Sequence, residues 1–127
     1  MTDAICTLTL WALLSGIAAE YDLPVEPVYQ LVMAESIGDP LAVGDNGKAL
    51  GLAQFHQDTF KWMARLYGMV YRLPDDAYDS EKALRLLCAA LADGRGGHWT
   101  GWRRVPSQFV PGRSEEHTSE LQSHACI

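Results

Sequence analysis

The feature that most constrains the fold is a set of four apolar runs at helical spacing, separated by short breaks rich in Gly, Pro and Asp. In the first run, Leu10, Leu14 and Ile17 fall on one helical face. The second run stops at Gly38-Asp39-Pro40, because Pro disfavours a helical conformation in the residue before it. The runs predict four helices: Thr7 to Tyr21, Pro24 to about Ser36, Asp58-Thr59 to Tyr67, and Asp79 or Ser80 to about Ala92.

The segment between the second and third helices carries turn signals in place of a helical pattern. Asp45-Asn46-Gly47 is a turn sequence, and the apolar pairs Ala42-Val43 and Ala49-Leu50 flank it. This arrangement predicts a small β-hairpin or an irregular loop. We therefore predict a mainly α domain of α+β type, a small helical fold with one short loop or β-hairpin excursion after the second helix.

Length and charge limit the possible functions. A chain of 127 residues allows one domain with a real core and is too short for two. The composition is 48% hydrophobic and 20% charged, which is typical of a folded, water-soluble protein. The net charge of −6 argues against a nucleic-acid-binding protein, and it provides no attraction toward an anionic polymer. We expect a monomer.

The cysteines and the N-terminal run carry no sign of metal binding, disulfides or membrane insertion. Cys6, Cys88 and Cys126 lack metal-ligand and disulfide spacing, and the first two lie in apolar runs that favour buried thiols. Since Cys, His and carboxylates are not clustered at ligand spacing, we expect no metal and no cofactor. The first apolar run follows Asp3 without any Lys or Arg and is too short to span a membrane. We interpret it as a core helix, with a signal peptide as the alternative.

The C-terminal tail breaks abruptly from the preceding sequence. RSEEHTSELQSH, Arg113 to His124, resembles the translation of a widely used sequencing-adapter oligonucleotide. We therefore expect residues 1–112 to form the domain and residues 113–127 to be a disordered, non-native read-through tail. This interpretation leaves open that the natural protein continues beyond Gly112, with the domain truncated at its C-terminus.

Glu35 lies on the apolar face of the second helix. It follows Val28 by seven residues, Leu31 by four and Val32 by three, so the four side chains share one face. Partial burial disfavours the charged form of a carboxyl and raises its pKa, which is the property that a general acid needs. The alternative is a Glu at a helix end, bonded to neighbouring groups. Spacing alone leaves both interpretations open.

The loop after Glu35 contains residue types that suit a ligand-binding segment. Gly44, Gly47 and Gly51 permit unusual backbone angles and a close approach to a ligand. Gln54 offers amide donors and a carbonyl acceptor to sugar hydroxyl and N-acetyl groups, and Phe55 offers an aromatic face. Each residue also has a structural interpretation, since Gly occurs in turns, Gln at surfaces and aromatic residues in cores.

Taken together, these motifs resemble the soluble lytic transglycosylase (SLT) domain of the lysozyme-like superfamily. The family pattern is a Glu-Ser pair, a Gly-Ala-x-Gly-Leu-x-Gln loop and a Thr that opens the next helix. The corresponding residues here are Glu35-Ser36, the loop Gly47-Lys-Ala-Leu-Gly-Leu-Ala-Gln-Phe, and Thr59. The resemblance covers about Leu10 to Trp102.

The resemblance implies a substrate and a role for each motif residue. Glu35 would be the sole general acid/base that cleaves the N-acetylmuramic acid–N-acetylglucosamine bond of peptidoglycan and leaves a 1,6-anhydro product. Ser36 would help to orient Glu35 or the substrate. Gln54 would line the sugar groove, with Gly51 and Phe55 as further substrate-binding residues.

The chain departs from the family pattern at two places. The family's Met in the Gly-Leu-Met-Gln loop is Ala53, a change that we expect to enlarge or reshape the cleft wall. A later Ala-Tyr-Asn element, whose Tyr reaches the catalytic Glu, is not evident. Tyr78 and His98 are the candidates to replace it. In the structural alternative, His98 partners Trp99 and Trp102, and Tyr78 packs at a helix start.

Two other functions stay open at this point. A lysozyme-type muramidase needs a second carboxylate about 5–9.5 Å from the acid. The nearby candidates in sequence, Asp39 and Asp45, are both better explained as turn residues. A non-catalytic wall-binding or phage structural module would keep the fold alone. In each case the expected partner is the peptidoglycan glycan strand, at a periplasmic, extracellular or phage-associated location.

Overall fold

The computed structural model describes residues 3–99 and residue 102. Four helices form its frame: α1 Asp3–Glu20, α2 Val25–Ser36, α3 Gln57–Leu66 and α4 Ser80–Ala92. They confirm the prediction of a mainly α domain. The predicted tail, residues 113–127, lies outside the described residues, as do Cys126 and the side chain of Cys6.

Local sequence signals account for the starts of α2 and α4. Pro24 precedes the first residue of α2 in an extended conformation, and Pro27 is buried in the first turn, where its missing N–H has no intrahelical partner to lose. Asp79 caps α4 as predicted, since its side chain accepts a hydrogen bond of 3.0 Å from the Lys82 backbone N–H. The helix α2 ends at Ile37, which adopts the left-handed conformation at φ +56°.

A three-stranded antiparallel sheet follows α2, and it includes the predicted hairpin. Strand β1, Val43–Gly44, pairs with β2, Ala49–Leu50, so that Val43 lies opposite Leu50. Asp45, Asn46 and Gly47 all have positive φ in the turn between them. A third strand, β3 Phe55–His56, pairs with the other edge of β2. The sequence did not predict β3, because two residues are too few to show a strand period.

The core lies where α1 packs on both α2 and α4. Helix α4 is the most deeply placed element, and its side chains from Leu86 to Leu91 are all buried. Phe55 and Phe60 extend this core toward the sheet, with their rings edge to face at 5.3 Å. Two short 3-10 turns, Asp75–Tyr78 and Gly96–His98, flank α4. Within the described part of the chain, no helix has both the length and the apolar character needed to cross a bilayer.

Candidate active site

Glu35 occupies the last turn of α2, on the face predicted from its spacing. Val28, Leu31 and Val32 are buried on that face, and Glu35 is partly buried beside them. This burial raises the pKa of the Glu35 carboxyl above its ordinary value of 4.5. Among the described residues, none forms a hydrogen bond or an ion pair with this carboxyl. Glu35 is therefore a carboxyl whose protonated form is favoured and whose oxygens have no protein partner in the described region.

Ser36 has a different environment, although it is the next residue. Its side chain is buried, and the hydroxyl donates a hydrogen bond of 3.1 Å to the Val32 carbonyl oxygen. The Ser36 hydroxyl oxygen in turn accepts a hydrogen bond of 3.2 Å from the Gly38 backbone N–H. The hydroxyl thus closes the end of α2 where the chain reverses through Ile37. The described contacts place Ser36 as a support for the helix end that carries Glu35.

The turn between β2 and β3 is closely packed against the rest of the domain. Gly51 adopts φ +80°, and a Cβ at this position would overlap the Ala77 carbonyl oxygen. The Gly51 N–H donates to the Ala42 carbonyl oxygen at 2.8 Å. Only glycine combines this backbone angle with so close an approach. Gly51 is therefore a buried residue that holds the loop against Ala77 and Ala42.

Gln54 holds the same turn through its side chain. Its Nε2 donates to the Gly51 carbonyl oxygen at 2.9 Å and to the Ala42 carbonyl oxygen at 3.2 Å. Its Oε1 lies directly against Gly44, at a point that a Cβ would fill. Gln54 itself has φ +53°, which is uncommon for a residue with a side chain. The two amide donors that could bind a sugar are thus used to fix the loop.

A groove of about 210 Å³ opens beside this loop. Three of the predicted binding residues, Gln54, Phe55 and His98, line the groove together. The other lining residues are His56, Thr59 and Trp99. Glu35, Ser36, Gly51 and Tyr78 are not among the lining residues.

The segment after Glu35 joins α2 to the wall of this groove. From Ile37 it runs to Ala42, whose carbonyl oxygen accepts hydrogen bonds from both Gly51 N–H and Gln54 Nε2. Seven residues after Glu35, the chain is therefore bonded to the loop that lines the groove.

His56 is a groove residue that sequence reasoning missed. Its Nε2 lies 3.0 Å from Asp45 Oδ2, so β3 is tied to the turn between β1 and β2. The sequence carried no signal for His56, because the two residues of β3 are too few to show a strand period. Asp39 also has a structural contact, because its Oδ1 accepts a bond of 2.9 Å from the Leu41 N–H. Both carboxylates of the segment that follows Glu35, Asp39 and Asp45, thus have structural partners.

A comparison with protein families agrees with this arrangement. The model of the transglycosylase SLT domain matches residues 13–95, which is more than half of the chain. The chain belongs to the transglycosylase SLT domain family. The match confirms the resemblance inferred from Glu35-Ser36 and the Gly-Leu-Ala-Gln loop. Searches of curated proteins and of solved structures gave no match.

Membership of the SLT family indicates the general class of activity. The domain is of the lytic transglycosylase kind, whose members act on the peptidoglycan of the cell wall. Among the described residues, no group of three His, Cys, Asp or Glu side chains is close enough to hold a metal ion.

The family's Met position has an unexpected environment in this SLT domain. Ala53 is fully buried in the core, and it is not a lining residue of the groove. Its carbonyl oxygen accepts a hydrogen bond of 2.8 Å from Trp99 Nε1. The Trp99 ring also packs edge to face on Phe55 at 5.6 Å. Trp99 therefore forms one wall of the groove. It also holds the loop in place through its contacts with Ala53 and Phe55, which are distant from it in sequence.

The two candidates for the missing family Tyr have unlike positions. Tyr78 ends a 3-10 turn and is partly buried against the core, with no hydrogen bond to Glu35. His98 is exposed and lines the groove, and its ring centroid lies 6.0 Å from those of both Trp62 and Trp99. The expected partnership of His98 with the tryptophans is seen at Trp99. Trp102 is buried nearby and packs on Gly96.

Proposed function

We propose that this SLT domain cleaves the β-1,4 bond between N-acetylmuramic acid and N-acetylglucosamine, with Glu35 as the single general acid/base. The observation that carries the proposal is the environment of Glu35. Its carboxyl is partly buried, its pKa is raised by that burial, and no described basic or carboxylate group pairs with it. A carboxyl of this kind is protonated at a higher pH than an exposed one and can donate its proton to a leaving group.

In the proposed reaction, Glu35 transfers its proton to the glycosidic oxygen as the bond from C1 to that oxygen breaks. The sugar passes through an oxocarbenium-like state. The C6 hydroxyl oxygen of the same muramic acid unit then bonds to C1, and its proton passes to the Glu35 carboxylate. Glu35 returns to its starting protonation state, and no water is consumed. The products are a 1,6-anhydro muramic acid end and a free 4-hydroxyl on the departing N-acetylglucosamine.

Two contacts favour this single-acid reaction over lysozyme-type hydrolysis. Hydrolysis by a pair of carboxylates needs a second acid placed to act as a nucleophile or to activate water. Asp39 accepts a backbone hydrogen bond in its own turn, and Asp45 pairs with His56. Each of these carboxylates already has a structural partner. The muramidase reaction is therefore the second candidate, and product analysis separates the two.

The non-catalytic alternative predicts an exposed Glu35 with an ordinary pKa and no groove beside Gln54. Glu35 is instead partly buried with a raised pKa, and a groove of about 210 Å³ lies beside Gln54. Both observations support an enzyme over a wall-binding module.

Digestion of purified peptidoglycan tests the proposal directly. The wild-type domain, Glu35→Gln and Glu26→Gln are compared, and the released fragments are identified by mass spectrometry. Glu26 is a matched control because it lies in the first turn of α2, at the other end of the same helix. We expect anhydro-muramic ends from the wild type and from Glu26→Gln, and none from Glu35→Gln.

Other results would contradict the proposal in distinct ways. Reducing ends without anhydro-muramic acid would assign a hydrolase. Unchanged cleavage by Glu35→Gln would remove Glu35 from the reaction. A folded wild-type domain that cleaves nothing would support the binding module.

A further inference from the structure

Trp62 is a large aromatic side chain on the surface of α3. It is 44% exposed, whereas Trp99 and Trp102 are each only 4% exposed. Exposed aromatic rings with a polar neighbour are concentrated at binding surfaces, because they offer much contact area with little loss of side-chain freedom. Trp62 is therefore a surface aromatic side chain that is accessible to a ligand.

A set of polar contacts holds the surroundings of Trp62 in place. The Arg95 guanidinium lies over the Trp62 ring, with its carbon 5.2 Å from the ring centroid. Arg95 Nε donates to Asp93 Oδ2 at 2.8 Å, and the Tyr67 hydroxyl donates to the same oxygen at 2.8 Å. The hydrogen bonds from Tyr67 and then from Arg95 lower the pKa of Asp93, which favours its ionised form. We call Tyr67, Asp93 and Arg95 the clamp.

The clamp also determines what kind of ligand suits this surface. Because Arg95 is paired with Asp93, its charge is balanced and is not free for an anionic ligand. What the clamp leaves exposed is part of an aromatic ring in a fixed position. A fixed ring suits the C–H face of a pyranose sugar, which packs on aromatic surfaces without needing a charge.

Trp62 is continuous with the groove. Its ring centroid lies 6.0 Å from that of His98, and His98 lines the groove together with Trp99. Thr59, another lining residue, lies one turn before Trp62 on α3. An occupant of the groove that extends past His98 would therefore meet the exposed part of Trp62.

We propose that Trp62, held by the clamp, is a sugar-stacking platform that extends the groove beyond His98 and favours longer glycan strands. The inference rests on the proposed function, since it assumes that the groove binds N-acetylated glycans. Trp62 would contact a sugar unit at the end of the bound strand. Tyr67, Asp93 and Arg95 would be positioning residues that act through Trp62.

Binding of chitooligosaccharides with three and six N-acetylglucosamine units tests the platform. Affinities are measured by calorimetry for the full chain as wild type, Trp62→Ala, Trp62→Phe, Arg95→Ala and Leu66→Ala. Leu66 is the matched control, because it lies one turn further along α3 and is 45% exposed, nearly the same as Trp62. Peptidoglycan cleavage and thermal unfolding are recorded for each variant.

We expect the wild type to bind the six-unit ligand more tightly than the three-unit ligand. Trp62→Ala should lose about tenfold of this advantage and leave the three-unit affinity unchanged. Trp62→Phe should retain part of the advantage, and Leu66→Ala should retain all of it. Arg95→Ala should show a partial loss, because the ring stays but is no longer held.

The outcomes separate this inference from the function on which it rests. If Trp62→Ala keeps the full length preference while the wild type cleaves peptidoglycan, the platform is wrong and the proposed function stands. A wild type that neither binds the ligands nor cleaves peptidoglycan would overturn both.

Discussion

Burial alone raises the pKa of Glu35, which gives this residue a defined effect on stability as well as on catalysis. The folded protein holds the Glu35 proton more tightly than the unfolded chain does, so unfolding at intermediate pH releases a proton. The contribution to stability is fully present below the unfolded-state pKa, near 4.5, and is lost as the pH rises through the folded-state pKa. Above the folded-state pKa, the ionised and partly buried Glu35 therefore lowers the stability of the domain.

This argument predicts the stability of Glu35→Gln, which has nearly the same shape but no charge. The variant should be more stable than the wild type at neutral pH, and its advantage should shrink as the pH falls toward 4.5. Urea unfolding of both proteins between pH 4 and pH 8 measures the difference. A difference that does not change with pH would show that burial of the charge is not its cause.

Gly51 and Gly47 provide a matched comparison of backbone strain and packing. Both have positive φ, but a Cβ at Gly51 would overlap the Ala77 carbonyl oxygen, whereas a Cβ at Gly47 would meet nothing within 4 Å. Gly51→Ala should lower the free energy of unfolding by about 2–4 kcal/mol, and Gly47→Ala by about 1 kcal/mol. Chemical denaturation measures both values. Equal losses would mean that the contact with Ala77 is not close in solution.

At the scale of elements, the sequence predicted those features that depend on neighbouring residues alone. The positions of Pro24 and Asp79 were enough to predict where α2 and α4 begin, because each acts on the backbone within one turn. The Asp-Asn-Gly turn was enough to predict the first hairpin for the same reason. The face of Glu35 followed from helical periodicity alone.

The groove could not be predicted in the same way, because its residues meet through long-range packing. Trp99 Nε1 donates a hydrogen bond to the carbonyl oxygen of Ala53, which is 46 positions earlier in the chain. His98, the last residue of the 3-10 turn before Trp99, lines the groove beside it. No sequence period reports such a pairing. The structural use of Gln54 was hidden for a related reason, since its partners Ala42 and Gly51 become neighbours only when the sheet forms.

The role of Gln54 in the turn between β2 and β3 leads to a prediction. Gln54→Glu keeps the shape but, when ionised, places a carboxylate against the carbonyl oxygens of Ala42 and Gly51. We expect the free energy of unfolding to fall by about 2–3 kcal/mol, together with peptidoglycan cleavage. The control is Gln57→Glu, an exposed position in the first turn of α3 where an acidic group is tolerated. A loss of cleavage without a loss of stability would instead make Gln54 a sugar-binding residue.

At the scale of the whole molecule, α4 supports both parts of the candidate site. It packs on α1, which in turn packs on the helix that carries Glu35, and α3 packs against it as well. On the surface, Arg85 of α4 donates to both carboxylate oxygens of Glu20 on α1, at 2.7 and 3.2 Å. The buried helix α4 therefore connects α3, which carries the groove residue Thr59, through α1 to the helix that carries Glu35.

Cys88 on α4 allows the opening of this core to be measured. Its side chain is fully buried, and burial raises the pKa of its thiol to about 12. In a background in which Ser replaces Cys6 and Cys126, the thiol should react with Ellman's reagent only when the core opens. We expect the reaction rate to rise with urea in parallel with the unfolded fraction from circular dichroism. A native protein that reacts as fast as the unfolded chain would show that α4 is not the closed centre of the domain. The helix of Glu35 and the groove would then not share one closed core.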